Sequence, residues 1–401
     1  MRRFVRFTAI SIIILLFVIS FSGVQSASCF FDEDALVTGP YVDEVIFKII
    51  PHPDQRYLAL QSGDIVLDMN FINPVHFLTI PESDIDVFTA IRNSYGHLTI
   101  NCRDYPLNIS GLRRAFAYAY DKTAVTVEAF DGFSIEHDSL VPQPNGWCIE
   151  DELDWDYYTN RSDIGNQILD ELGFVINATT GFRNAPNGEP FDILIEHVIP
   201  EDVEAIVCEI GVEALQSLHI NASRDIWYTG ELNRLEAHGN YDMVFYETEF
   251  YDSDIDWLAY EYWSDNADVF GENLANFEND TYDSWRDQLL FGSTYEEVHE
   301  AASEMQKILH YNVPRLVVYE NTYIQGYRSD QFIGQVEDLS RYISGPWTLR
   351  KIHKLDGTFG GSVPIAINED PDTFNIFTAK PVSLSQARNL LQQAIRTSHS
   401  H

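Results

Sequence analysis

Positive charge is what this 401-residue chain has least of. Lys and Arg number 25 against 62 Asp and Glu, for a formal charge of -37. Nucleic acid and anionic membrane both need a basic face, so both are excluded as main partners. The acid is spread along the chain rather than gathered in a tail, which reads as a solvated surface and not as a cation site. Cysteine is scarce too: Cys29, Cys102, Cys148 and Cys208 are too widely spaced for a zinc or CxxC pattern. Catalytic signatures are missing, with no HExxH, GxSxG, Walker lysine or strand-linked GxGxxG. His299-Glu300 lacks a second histidine, and His197, His219 and His238 are scattered. These absences point to a non-enzyme without a cofactor. No long apolar run follows the first 28 residues, so the mature chain is expected to be soluble.

What is present begins with an export pattern. Arg2, Arg3 and Arg6 precede the apolar run Ala9–Phe21, and Ser26, Ala27 and Ser28 follow as a small-residue cleavage site. The expectation is a cleaved signal over residues 1–28 and an extracytoplasmic, secreted or cell-surface protein. A lipid anchor on Cys29 would need a bulky aliphatic residue before it, which is absent. Export permits disulfides, and a Cys102–Cys148 bridge would add about 4 kcal/mol on the chain-entropy model; the alternative is small buried thiols. Asn108, Asn160, Asn177, Asn221 and Asn279 each open an N-x-S/T sequon, an acceptor only in a glycosylating source.

The chain is organised around residues 101–125, NCRDYPLNISGLRRAFAYAYDKTAV. The strand-like run Leu98–Cys102 breaks at Tyr105-Pro106, because a residue before proline is pushed out of the helical region. A helix follows, capped by Asn108 or Ser110. Leu112, Phe116 and Ala119 share its buried face, Arg113 and Arg114 turn outward, and Asp121 caps a second turn. Upstream, Thr38-Gly39-Pro40-Tyr41 leads to the β-rich run Val42–Ile50, a short helix stopping at Gly63, and a strand over Ile65–Phe71. Downstream, the spacing predicts helices at Asp163–Leu172, Val203–Leu218, Asp283–Leu290 and Thr294–Leu309. Strands are predicted at Phe191–Ile195, Met243–Glu247 and Val313–Tyr319.

This order of phrases resembles the family 5 extracytoplasmic solute-binding proteins, the dipeptide, oligopeptide and nickel binders of ABC importers. The residues that carry the resemblance are the strand ending in Asn101, the Pro106 turn, RRAFAYAYDKTAV, the earlier TGPY, and the helix ending at Ser62-Gly63-Asp64. Residues 360–375, GGSVPIAINEDPDTFN, resemble the phrase that normally opens the mature protein, yet stand near the end here and precede an amphipathic helix through Leu390, Leu391 and Ile395. The family order is thus rotated and incomplete. The resemblance implies an α/β fold of the type II periplasmic-binding kind, two lobes with one partial. It assigns 38–95 to part of lobe I, 96–322 to lobe II, and 323–401 to a return into lobe I. It implies capture of a peptide or other small solute and its delivery to ABC permease subunits. The alternative is a partial module that acts in surface interaction or needs a second chain to complete the cleft.

In that family the region around residues 247–257 lines the cleft, and an acidic residue there pairs with the amino group of a bound peptide. The match falls on Tyr251, with Glu249 and Asp252 beside it. Tyr246, Tyr251, Trp257 and Trp147 are candidates to present ring faces to a ligand, with ordinary packing as the alternative, and Asn101 completes the candidate set. Asp252, Asp254 and Asp256 imitate a calcium loop, but Trp257 stands where glycine is needed and Trp263 where the closing Glu belongs, so no metal is expected.

Overall fold

The computed structural model describes residues 39–370, apart from 74–75, 77–79, 81–83, 199–202, 227–240, 251, 268, 270 and 340. The expected signal, Cys29, Tyr251 and the helix expected through Leu390 lie outside the described residues.

Ten strands form one sheet. In chain order they are β1 (Glu44–Ile49), β2 (Leu67–Asp68), β3 (Asp86–Ile91), β4 (Ser94–Ile100), β5 (Ser134–Ile135), β6 (Asp192–His197), β7 (Asn221–Ile226), β8 (Met243–Glu249), β9 (Arg315–Tyr327) and β10 (Ser362–Ile367). Across the sheet the order is β1-β10-β2-β9-β4-β8-β6-β7, with β3 and β5 also on β9. One half of the sheet, called lobe I, holds β1, β10, β2 and β3, and the other, called lobe II, holds β4, β8, β6 and β7. The long strand β9 serves both. Its far half pairs antiparallel with β3, from Tyr327 opposite Asp86 to Thr322 opposite Ile91, and its near half with β4, from Tyr319 opposite Gly96 to Arg315 opposite Thr99. Since β3 runs into β4 through Arg92 and Asn93 alone, two antiparallel segments cross between the lobes side by side.

The helices form where the sequence marks them. Helix α1 (Pro53–Ser62) starts with proline at its first position and stops at Gly63, whose φ of 78° lets its N–H reach the Leu60 carbonyl. Helix α2 (Ser110–Ala119) buries Leu112, Phe116 and Ala119. Helix α3 (Lys122–Glu128) is capped by Asp121, which accepts from the Ala124 N–H at 2.9 Å. Then come α4 (Ser162–Glu171), α5 (Val203–Ser217), α6 (Tyr295–Asn312), capped by Thr294, and α7 (Pro346–Lys351). Lobe II closes over two clusters, one holding Leu98, Phe116, Tyr120 and Leu215, the other Tyr262, Tyr282, Met305 and Leu309. Lobe I packs Leu67, Leu349 and Ile365 on one face of its sheet and Leu60, Ile65 and Ile324 on the other.

Several expectations change. Ile109 occupies the cap position of α2 with no side-chain hydrogen bond, so neither Asn108 nor Ser110 caps that helix, and the helix expected over Asp283–Leu290 divides into two short ones, Asp280–Asp283 and Arg286–Phe291. Arg113 does not turn outward: it is buried and donates to the carbonyls of Leu107 and Asn312, so it ties the turn before α2 to the end of α6. The strand expected over Ile65–Phe71 reaches the ladder only at Leu67–Asp68. Cys102, Cys148 and Cys208 are free thiols, and burial raises the pKa of each. No helix among the described residues is long and apolar enough to cross a membrane.

Strand β10, cut from the segment that resembles the family's opening phrase, lies between β1 and β2 and parallel to both, with Ser362 opposite Glu44 and Ile365 opposite Leu67. Val363 and Ile365 fill the core beneath it.

Helices α2 and α4 touch through glycine. A Cβ on Gly165 would sit 2.6 Å from the Ala115 carbonyl oxygen and 2.7 Å from Leu218. Alanine is the better helix former by about 1 kcal/mol, but a backbone oxygen cannot step aside as a flexible side chain does. Gly165→Ala is therefore expected to destabilise by a net of roughly 1–3 kcal/mol in urea denaturation.

Candidate functional site

Where the crossing segments pass between the lobes, polar side chains converge that are far apart in the chain. Arg92 lies 3.2 Å from Glu247 and 3.7 Å from Glu249, with its guanidinium 4.8 Å from the centre of the Tyr323 ring. Burial works against the cation, but Tyr323, Glu247 and Glu249 outweigh it and raise the pKa of Arg92. Glu247 also accepts from the Tyr319 hydroxyl at 2.5 Å. Both glutamates come from the last turn of the ladder on β8, where alternate side chains share one face and place residues 247 and 249 side by side.

Asn93 works as a suture. Its side-chain amide donates to the carbonyls of Phe250 and Asp252, at 2.9 and 3.1 Å, and its backbone N–H donates to the Tyr342 hydroxyl at 2.9 Å. Segment 250–252 of lobe II is thus held to the crossing point, and the crossing point to the loop of lobe I that carries Tyr342. The Asn93 side-chain oxygen is buried without a partner among the described residues. Tyr323 stacks on Phe71 and meets Tyr342 edge-on. Behind this layer His97 is bonded to Thr248 and Thr99, and burial lowers its pKa far enough to keep it neutral.

The structure brings some of the expected residues together and scatters others. Glu249 stands in the Arg92 group. Asp252 is exposed beside it, its carbonyl taken by Asn93 and its carboxylate by the Asp254 N–H at 3.1 Å. Trp257 packs on Phe250 with ring centres 5.1 Å apart, and its indole N–H is buried without a partner among the described residues. Tyr246 meets the His97 ring edge-on. Trp147 packs against Tyr295 and His299 at the start of α6, and Asn101 is fully buried, bonded to Asp104, Tyr241 and Asn276. These last two bear on packing rather than on the crossing point. Tyr251 lies outside the described residues. Asp254 accepts N–H groups from Ile255 and Asp256, so the calcium-like spacing is spent on the turn's own backbone. Among the described residues no group of three His, Cys, Asp or Glu is placed to hold a metal.

Sequence reading missed Arg92, Asn93, Glu247, Tyr323 and Tyr342. Arg92 meets Glu247 over 155 positions and Asn93 meets Tyr342 over 249. No local spacing announces such pairs. Chemically, the group offers carboxylates to a cation, an arginine to an anion, and tyrosine rings to an apolar body, at the point where the two strand segments cross.

Three kinds of comparison bear on this arrangement. A model of bacterial extracellular solute-binding proteins, family 5 middle, matches residues 37–269. The dipeptide-binding protein of Escherichia coli K12 is 24% identical over 178 residues, 44% of this chain and 32% of that protein. The oligopeptide-binding protein AppA of Bacillus subtilis 168 is 21% identical over 316 residues, 74% of this chain and 55% of that one. Among solved structures, B. subtilis AppA in complex with a nonapeptide superposes with a TM-score of 0.62 at 14% identity, over 77% of this chain and 59% of AppA. A mannohexaose-bound oligopeptide-binding protein of Thermotoga maritima gives 0.59 at 19% identity, over 76% and 61%. The chain spans about half, or less, of the length of the curated relatives it matches.

Proposed function

Because this chain belongs to the bacterial extracellular solute-binding proteins of family 5, we propose that it captures a small solute outside the cytoplasm, by preference a peptide, and hands it to the permease of an ABC importer. The observation that carries this reading is the crossing point itself. Two strand segments join the lobes there, beneath a layer of Arg92, Glu247, Glu249, Tyr323 and Tyr342. A ligand that touches both lobes favours the closed arrangement by its differential contacts, and lobes joined by two adjacent strands have a hinge through which to close.

Glu249, partly exposed on β8 beside the Arg92 guanidinium at 3.7 Å, is a carboxylate that can meet a ligand ammonium group. Native mass spectrometry of the mature chain, purified gently from its producer, should release a bound small molecule on activation. Glu249→Gln should weaken binding of that molecule by about tenfold, the scale of one charge-assisted hydrogen bond. A chain that is empty from its producer, and that takes up no component of a mixed peptide library, would defeat autonomous capture.

A further inference from the structure

Arg114 is the exception among the arginines of this acidic protein. Eight others lie within salt-bridge distance of a carboxylate. Arg114 makes no hydrogen bond or ion pair with any described residue, and its Nε is buried without a partner. The guanidinium carbon lies over the Tyr311 ring, 4.0 Å from its centre.

The side chain lines a groove of about 420 Å³ on the outer face of lobe II, between α2, α4 and the end of α6. The volume lies within the roughly 300–1,000 Å³ of small-molecule sites. Ile164, Ile168 and Leu172 form the apolar wall, and Tyr118, Trp155 and Tyr311 the aromatic one. Glu171 stands on the rim, where its carboxylate already accepts from Gln167 at 2.9 Å.

A guanidinium with no hydrogen-bond or ion-pair partner among the described residues, over a ring and inside an apolar groove, leaves a position for an anion from outside. Glu171 on the rim sets a limit, since a second negative charge on the ligand would face it. We propose that this groove is a second binding site, separate from the crossing point, for a small monocarboxylate with a flat or branched apolar body. Arg114 takes the carboxylate and the Ile164, Ile168, Trp155 lining takes the body.

The test is calorimetric titration of the full mature chain with phenylacetate, indole-3-acetate and 4-methylpentanoate, against neutral phenylacetamide. At least one acid should saturate in the low millimolar range or below, with the amide about tenfold weaker. Arg114→Gln should reduce acid binding to the level of the amide, and Arg114→Lys should restore part of it. Should Arg114→Gln fail to fold, Leu172→Glu on the exposed rim serves instead: it should weaken the acids and spare the amide. The proposal fails if none of the three acids saturates below 10 mM, if acid and amide bind alike, or if Arg114→Gln binds as the parent does. The last outcome would place the acids away from this groove, and it leaves the transport reading standing.

Discussion

Replacing Asp138 by alanine is expected to cost the fold roughly 3–5 kcal/mol, the largest single loss anticipated for any side chain in this protein. Lys122 and Asp138 form an ion pair in which both side chains are essentially sealed from solvent, at 0% and 1% exposure. The ammonium group also donates to the His137 carbonyl at 2.6 Å, and the second Asp138 oxygen accepts from the Tyr157 N–H at 2.8 Å. Removing the carboxylate therefore leaves a dry ammonium facing one carbonyl and an unmatched backbone donor. A surface pair of the same composition would contribute almost nothing; burial makes the difference. Lys122→Met combined with Asp138→Asn should recover more than half of the loss, because the isolated charge then disappears while the Tyr157 contact survives. Urea denaturation at neutral pH reads both variants, and an Asp138→Ala protein within 1 kcal/mol of the parent would refute the argument.

The second expected result concerns pH. Glu320 sits on β9 just before the lobes part, fully buried, and accepts from the Gln143 N–H at 2.9 Å. Burial pushes its carboxyl up to about 7, helped by nearby Glu150 and opposed by His137 and the Gln143 N–H. Glu150 moves the other way. Burial opposes its charge too, but His137, the Tyr158 hydroxyl, the Ser139 N–H and Lys122 outweigh it. The imidazole of His137 lies between them, 3.3 Å from Glu150 and 3.5 Å from Glu320.

A carboxyl that holds its proton more tightly folded than unfolded stabilises the fold fully at low pH, below its unfolded pKa near 4.5, and that stability is lost as pH rises through about 7. The contribution at stake is about 3 kcal/mol. Glu320→Gln keeps the shape and removes the proton. The difference in unfolding free energy between parent and variant should thus change by that amount between pH 4.5 and 7.5 and be flat on either side. The comparison must be made as a difference, since His97 and His310, lowered mainly by burial, tilt the parent curve in the opposite sense over part of the same range. A difference that does not vary with pH would mean that Glu320 titrates in the fold as it does in the unfolded chain, and would refute the argument.

Much of the fold could be read because its signals are local. The apolar spacing of Leu112, Phe116 and Ala119, the Asp121 cap and the Gly63 stop each act within a few residues, and each is found where the sequence puts it. The misses are residues whose type misleads. Arg113 reads as a solvent residue and is buried because helix-end carbonyls, from Leu107 and Asn312, gather around it. Strand β9 was expected to end at Tyr319; it continues to Tyr327, where the Glu320 carboxylate accepts from the Gln143 N–H, Gln325 bonds to Ser344, and Asn321 pairs through the ladder with Ser134 of β5. Of the crossing-point group only Glu249 could be read, and only through the resemblance. Its members meet only after the sheet has assembled, and none is unusual within its own neighbourhood.

The placement of β10 governs how the molecule can be made. The strand that lies between β1 and β2 is paired with a segment 318 positions earlier. At roughly 5–20 residues per second, a ribosome needs about a quarter of a minute to a minute to cover that distance. Throughout that interval β1 and β2 have no strand to lie between them, and by its end, before β10 is made, every segment of lobe II has been synthesised. A nascent chain should therefore pass through a form with lobe II able to condense and lobe I open at its centre.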